Sequence, residues 1–189
     1  MKFADAEMLL KKYVAGETLL RHSYTVAVTL DYWAKDSGEA DAETWRCIGL
    51  LHDLDFEKYP AEHCIKAKEI LEAEKDCVPG ITRELIHAIQ SHGWELTVDV
   101  KPESYMEKVL YTVDELTGII YASALMRPSK SVADMEVKSV LKKYKTPAFA
   151  AGCSRDVINK GCGLLGMELS AVIEKTLSAM RSEAALLGV

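Results

Sequence analysis

Cysteine is scarce in this sequence and offers no obvious pairing. The 189 residues hold five, Cys47, Cys64, Cys77, Cys153 and Cys162, an odd number with no CxxC pair. That argues against a secreted disulfide framework and for a reducing, cytoplasmic setting. Glycine (11) and proline (5) are also few, which excludes a collagen-like, low-complexity or disordered chain. Positive charge is in deficit: 23 Lys and Arg stand against 29 Asp and Glu, a net charge of -6. Such a balance disfavours broad contact with a polyanion, so bulk nucleic acid is not an expected partner. No stretch supplies the roughly 18 to 20 apolar residues that span a bilayer, and the opening MKFADAEMLLKKYV interrupts its apolar pattern with acids. Neither a membrane partner nor a cleaved leader is expected. Internal repeats and linker-length breaks are missing too, so 1–189 is read as a single domain, with monomer and homo-oligomer both open.

What is present is helical periodicity. Apolar residues make up 49% of the chain, and their spacing predicts helices over 5–15, 17–35, 41–52, 63–73, 81–92, 103–125, 132–144, 155–164 and 168–184. WELTVDV at 94–100 has some strand character, but Pro102 cuts it short and one strand builds no sheet, so it reads as an extended connection. The expected fold class is all-α. On this scheme His52 and Asp53 fall at a helix C-terminus, His63 near a helix start and His92 in a last helical turn. Imidazole and carboxylate adjacent at a helix end can face one cation, with a histidine from another helix completing its shell.

Three pieces occur in order: RHS at 21–23, HDLD at 52–55 and VDELTG at 113–118. Together they resemble the H, HD and D signature of the HD-domain metal-dependent phosphohydrolases. EHCIKA, with His63, and HAIQSH, with His92, are similar to the bacterial subgroup that carries additional histidines. The resemblance covers 17–120, with 126–189 as a helical C-terminal extension. It implies a compact HD-domain-like fold in which His22, His52, Asp53 and Asp114 bind one metal. It further implies that Asp53 bridges to a second ion held by His63 and His92.

The residue types themselves suit this chemistry. Mixed imidazole and carboxylate donors fit one or two borderline divalent ions: iron or manganese is favoured, cobalt, nickel and zinc are compatible, and magnesium alone fits less well. Two ions roughly 3.5 to 4 Å apart would polarise a phosphoryl group and activate a water. His87 and His92, five residues apart, are rotated by about 140° on a helix, which disfavours both binding the same ion. His87 is therefore left as a substrate-facing or structural residue. Asp53, Asp55 and Lys58 are the expected catalytic group, with Asp55, like Glu57, either bonding a ligand or water or lying in a solvated acidic loop. Lys58, Arg127 and Lys130, with Ser129 and His87, are candidates to contact substrate phosphate, the alternative being ordinary surface. The run Lys142, Lys143, Lys145 reads as a solvated helix face, and Trp94 as a packing residue or a platform for a base.

The expected activity is hydrolysis of a phosphomonoester or phosphoanhydride in a small phosphorylated metabolite, a nucleotide being the first class to test. Two other readings stand beside it. One is a non-catalytic metabolite-binding or regulatory protein. The other, a dinuclear-iron oxygenase, is weakened because its pattern needs a second HD-type pair and only HDLD is present.

Overall fold

The computed structural model describes residues 1–189 and is all-α. Its helices are α1 (Phe3–Tyr13), α2 (Glu17–Asp36), α3 (Ala42–Leu51), α4 (Ile65–Glu74), α5 (Arg83–Ser91), α6 (Tyr105–Leu125), α7 (Val137–Tyr144), α8 (Arg155–Leu165), α9 (Leu169–Ser182) and α10 (Ala184–Leu187), with a 3-10 turn at Pro60–Glu62. The only β pairing is an isolated bridge between Trp94 and Val98, so 94–100 is a looped connection. No helix is long and apolar enough to cross a membrane.

Local sequence fixes four helix starts through side-chain caps. The side chains of Asp41, Thr82 and Ser154 accept hydrogen bonds from the Thr44, Leu85 and Val157 N–H groups, capping α3, α5 and α8. Ser104 and Glu107 form a reciprocal capping box at the head of α6. Each cap satisfies a donor that the first helical turn leaves without an intrahelical partner. Gly166 closes α8 in the left-handed conformation, where the missing Cβ removes the steric penalty.

The two longest helices, α2 and α6, pack against each other; α2 also meets α3 and α9, and α6 meets α8. Val26, Leu30 and Trp33 of α2, Ile48 of α3, Leu116 and Ile120 of α6 and Val172 and Leu177 of α9 are all buried in one continuous core that runs from Ala6 to Val189. A close backbone-to-backbone approach is at Gly49 of α3. A Cβ there would lie 2.9 Å from both the Val26 carbonyl oxygen and the Ala27 Cα. The missing side chain thus lets α3 sit directly on the backbone of α2, and these are the helices that deliver His22 and His52.

Two boundaries depart from the periodicity. The element expected from 132 becomes helical only at Val137, because Val132 and Met135 are buried in a turn whose carbonyls accept from the Arg181 guanidinium. The element expected from 63 starts at Ile65, because Cys64 adopts a positive φ of 67°. That reversal leaves His63 outside the helix.

Candidate metal centre

Four of the six predicted ligands are placed by helix ends and turns. His52 and His92 are the C-cap residues of α3 and α5. Their Nδ1 atoms face the carbonyl oxygens three residues back, Gly49 (2.8 Å) and Ile89. Carbonyls in a last helical turn lack an amide partner, so each accepts from an imidazole and pins its ring with Nε2 projecting beyond the helix. Asp53 sits in the turn that leaves α3, and His63 lies between the 3-10 turn and α4. His22 stands on the second turn of α2 and Asp114 midway along α6.

These six side chains converge in two sets that share one carboxylate. In the first, His22 Nε2 lies 3.1 Å from His52 Nε2 and 2.9 Å from Asp114 Oδ1, and His52 Nε2 is 3.3 Å from the same oxygen. Asp53 Oδ2 completes this set at 3.5 Å from His22 and 3.4 Å from His52. In the second, His63 Nε2 and His92 Nε2 are 2.9 Å apart. The other oxygen of Asp53, Oδ1, approaches them at 3.3 and 3.6 Å. The Asp53 carboxylate therefore points one oxygen at each set.

Asp55 orients the second set. It is fully buried, and its Oδ1 lies 2.7 Å from His63 Nδ1 while Oδ2 accepts from the Ala67 N–H at 2.7 Å. With Nδ1 of His52, His63 and His92 all donating to oxygen, their Nε2 atoms carry lone pairs, and these face other nitrogens at about hydrogen-bond distance. Lone pairs meeting this way repel unless a cation lies between them. A proton serves one donor and one acceptor; here each focus draws at least three ligand atoms, as a metal ion requires.

The electrostatics carry the same demand for positive charge. Burial pulls the His52 imidazole down, but Asp53 and Asp114 outweigh it and raise it to about 10. Burial likewise opposes protonation of His63, while Asp55 lifts it to about 9. Burial pushes the Asp53 and Asp114 carboxyls up, and the surrounding histidines more than reverse this, holding both well below the usual carboxylate range. Without a metal, the cluster holds protons in its place.

Above the cluster lies a cavity of about 800 Å³, walled by residues from the start of α2, the turn after α3, the 93–97 turn, α6 and the Gly152–Cys153 loop. That last loop belongs to the C-terminal extension. The Arg155 guanidinium ties it down by donating to the Phe149, Ala150 and Cys153 carbonyls.

The other predicted site residues lie elsewhere, and Asp55 has a different role. Asp55 is sealed beneath His63, does not line the cavity and lies against the far side of the His63 ring. Lys58 turns out of the loop, its ammonium 5.1 Å from the centre of the Tyr13 ring. Arg127 pairs with Asp134 (2.8 Å) in the turn beyond α6, where Ser129 bonds the same carboxylate and Lys130 is exposed. At 1.5 Å per residue Arg127 is about 20 Å along α6 from Asp114. His87 lies 2.8 Å from Glu107 and borders a separate groove between α4 and α5. Trp94 packs against Tyr111, ring centres 5.8 Å apart.

Several residues at the centre escaped the sequence reading. Cys64 is buried with its sulfur 3.8 Å from His92 Nε2; burial pushes the thiol up, but His92 and His63 bring it down to about 6. Its adjacency to His63 was the available signal. Glu115, beside Asp114, lines the cavity and accepts from the Ser154 N–H; burial and the Asp114 charge raise it to about 7. Phe56, Leu96 and Cys153 complete the walls, and only the folded chain brings them there.

Searches of the curated proteins and of the solved structures returned no match. The family model for the HD domain, however, matches residues 19–119, more than half of the chain and the whole span from His22 to Asp114. The all-α fold, the ordered H, HD and D residues and their convergence on one carboxylate agree with that match: the chain belongs to the HD-domain family, whose members are typically metal-dependent phosphohydrolases.

Proposed function

We propose that the protein is a dinuclear metal-dependent phosphohydrolase that cleaves a phosphomonoester or phosphoanhydride in a small metabolite, with a nucleotide as the first substrate class. The observation that carries this reading is the division of the Asp53 carboxylate between the His22, His52, Asp114 set and the His63, His92 set. The first set would hold one ion and the second set another, with Asp53 shared. Such ions, when bound, supply Lewis-acid polarisation of a phosphoryl oxygen and lower the pKa of a water.

The chain's own residues do the positioning. Gly49, Ile89 and Asp55 fix the three ring tautomers, so that Nε2 of His52, His63 and His92 stays available as a ligand. The cavity above Asp53 gives a phosphoryl group access to both sets, and the C-terminal extension closes one side of it with Gly152 and Cys153. Residues 1–189 thus act as one functional unit. The mixed imidazole and carboxylate donors favour iron or manganese, and five free cysteines accord with a reducing cytoplasm.

The test is phosphate release from a panel of nucleotides and sugar phosphates after anaerobic reconstitution with Fe, Mn, Co, Ni, Zn or Mg. Metal-dependent release that chelator abolishes is the expected result. Phosphate esters that bind the metal-loaded protein without turnover would instead identify a binding or regulatory protein.

A further inference from the structure

The groove between α4 and α5 lies outside the metal centre and has a charge of its own. It encloses about 420 Å³ and shares no lining residue with the cavity above Asp53. Helical spacing builds it. Lys68, Glu72 and Lys75 follow one another at i, i+4 and i+7 along α4 and its C-cap, and Arg83, His87 and Gln90 repeat that spacing on α5. Residues so spaced share one face of a helix, so each helix turns a polar row toward the other. Ile81 and Ile86 supply the apolar part of the lining.

The rows are not balanced in charge. Lys68, Lys75 and Arg83 meet a single lining carboxylate, Glu72, which stands 4.0 Å from Lys68. Neither the Lys75 ammonium nor the Arg83 guanidinium has an ion-pair or hydrogen-bond partner within the chain, and both residues are exposed. In a chain of net charge -6, a concave excess of cations concentrates anions locally. The spacing selects the kind of anion. Lys68 and Lys75 are about 10 Å apart along the helix axis. A single phosphate engages one end of such a row, whereas a chain of linked phosphates runs along it.

The position of the groove gives binding there a consequence. Its two helices carry the second ligand set: α4 begins just after His63, and His92 is the C-cap of α5. At the end nearest those rings, Gln90 Nε2 donates to the Cys64 carbonyl at 3.4 Å, and the Ala67 N–H donates to Asp55 Oδ2. An anion that draws the two cationic rows together therefore acts on the same helix spacing that separates His63 from His92.

We infer that the α4–α5 groove is a second binding site, taking a linear polyphosphate, free or carried by a nucleoside, and that its occupancy strengthens metal binding at His63 and His92. The site stands on the groove alone; its coupling to the second ion rests on the dinuclear reading above.

Calorimetry of orthophosphate, tripolyphosphate and a nucleoside triphosphate tests the site on chelated, metal-free wild type, Asp53→Asn and a Lys75→Gln, Arg83→Gln double variant. Tripolyphosphate should bind wild type and Asp53→Asn alike, and about tenfold more tightly than orthophosphate. The double variant should lose roughly tenfold, as removal of charge-assisted contacts does. Tighter binding of the nucleoside triphosphate than of tripolyphosphate assigns a nucleotide, and equal binding assigns the phosphate chain alone. Manganese occupancy is then measured at a fixed, buffered free Mn²⁺ concentration. Tripolyphosphate should raise affinity for the second ion about fivefold in wild type and leave it in place in the double variant. Undiminished binding by the double variant, or equal affinity for orthophosphate, would overturn the site. Unchanged manganese affinity in a wild type that binds two ions would overturn the coupling. A wild type that binds only one ion would overturn the dinuclear reading and the coupling with it, while the metal-free titrations decide the site independently.

Discussion

At the scale of single residues, the centre depends on side chains that never touch substrate. Asp55 accepts from both His63 and the Ala67 amide while fully buried. Asp55→Asn exchanges one of those acceptors for a donor, so His63 is no longer held with Nε2 toward Asp53. Affinity for the second ion should fall about 10- to 100-fold, and saturating metal should restore turnover. A metal titration followed by an activity assay checks this; a loss that excess metal does not repair would make Asp55 a catalytic group. The convergence of the six candidate ligands was legible in the sequence because metal binding demands particular residue types in a particular order. The role of Asp55 was not, since it depends on the backbone reversal at Cys64. The placement of Lys58, Arg127, Lys130 and His87 was not legible for a related reason: proximity in sequence to a motif does not say which way a turn directs a side chain, and these lie against Tyr13, Asp134, solvent and Glu107.

At the scale of elements, the separation of α2 and α3 sets the distance between His22 and His52. Gly49→Ala places a methyl group 2.9 Å from backbone atoms of Val26 and Ala27, and backbone, unlike the tip of a flexible side chain, cannot swing aside. The helices must move apart, costing about 1–3 kcal/mol of stability as overpacking does. Affinity for the first ion should weaken in step. Chemical denaturation of the metal-free variant measures the first effect, and unchanged stability would contradict the packing described. Most helices could be read from apolar periodicity and their caps, as Asp41, Thr82 and Ser104 illustrate. The late start of α7 could not, because the turn before it is held by Arg181, about fifty residues downstream and visible only once the chain has folded.

For the whole molecule, the cluster couples stability to pH and to metal. In the metal-free protein His52 and His63 are raised from 6.5 to about 10 and about 9. Between those values the folded state holds more protons than the unfolded one, so this stabilisation is complete below about pH 6.5 and is lost as pH rises through 9 to 10. Asp53 and Asp114 are depressed below 3.8; their contribution is present above that value and is lost as pH falls through their folded-state range. Metal ions need the neutral imidazoles and take the place of those protons. The gap in Tm between metal-loaded and chelated protein should therefore widen from pH 6 to pH 9, and a constant or narrowing gap in thermal melts would contradict the linkage. The most direct test of the central claim is the metal content of anaerobically purified, manganese- or iron-reconstituted protein beside its Asp53→Asn variant. About two ions per chain in the wild type and at most one in the variant is the predicted result; at most one ion in the wild type, or two retained without the Asp53 carboxylate, would contradict a centre built on that shared ligand.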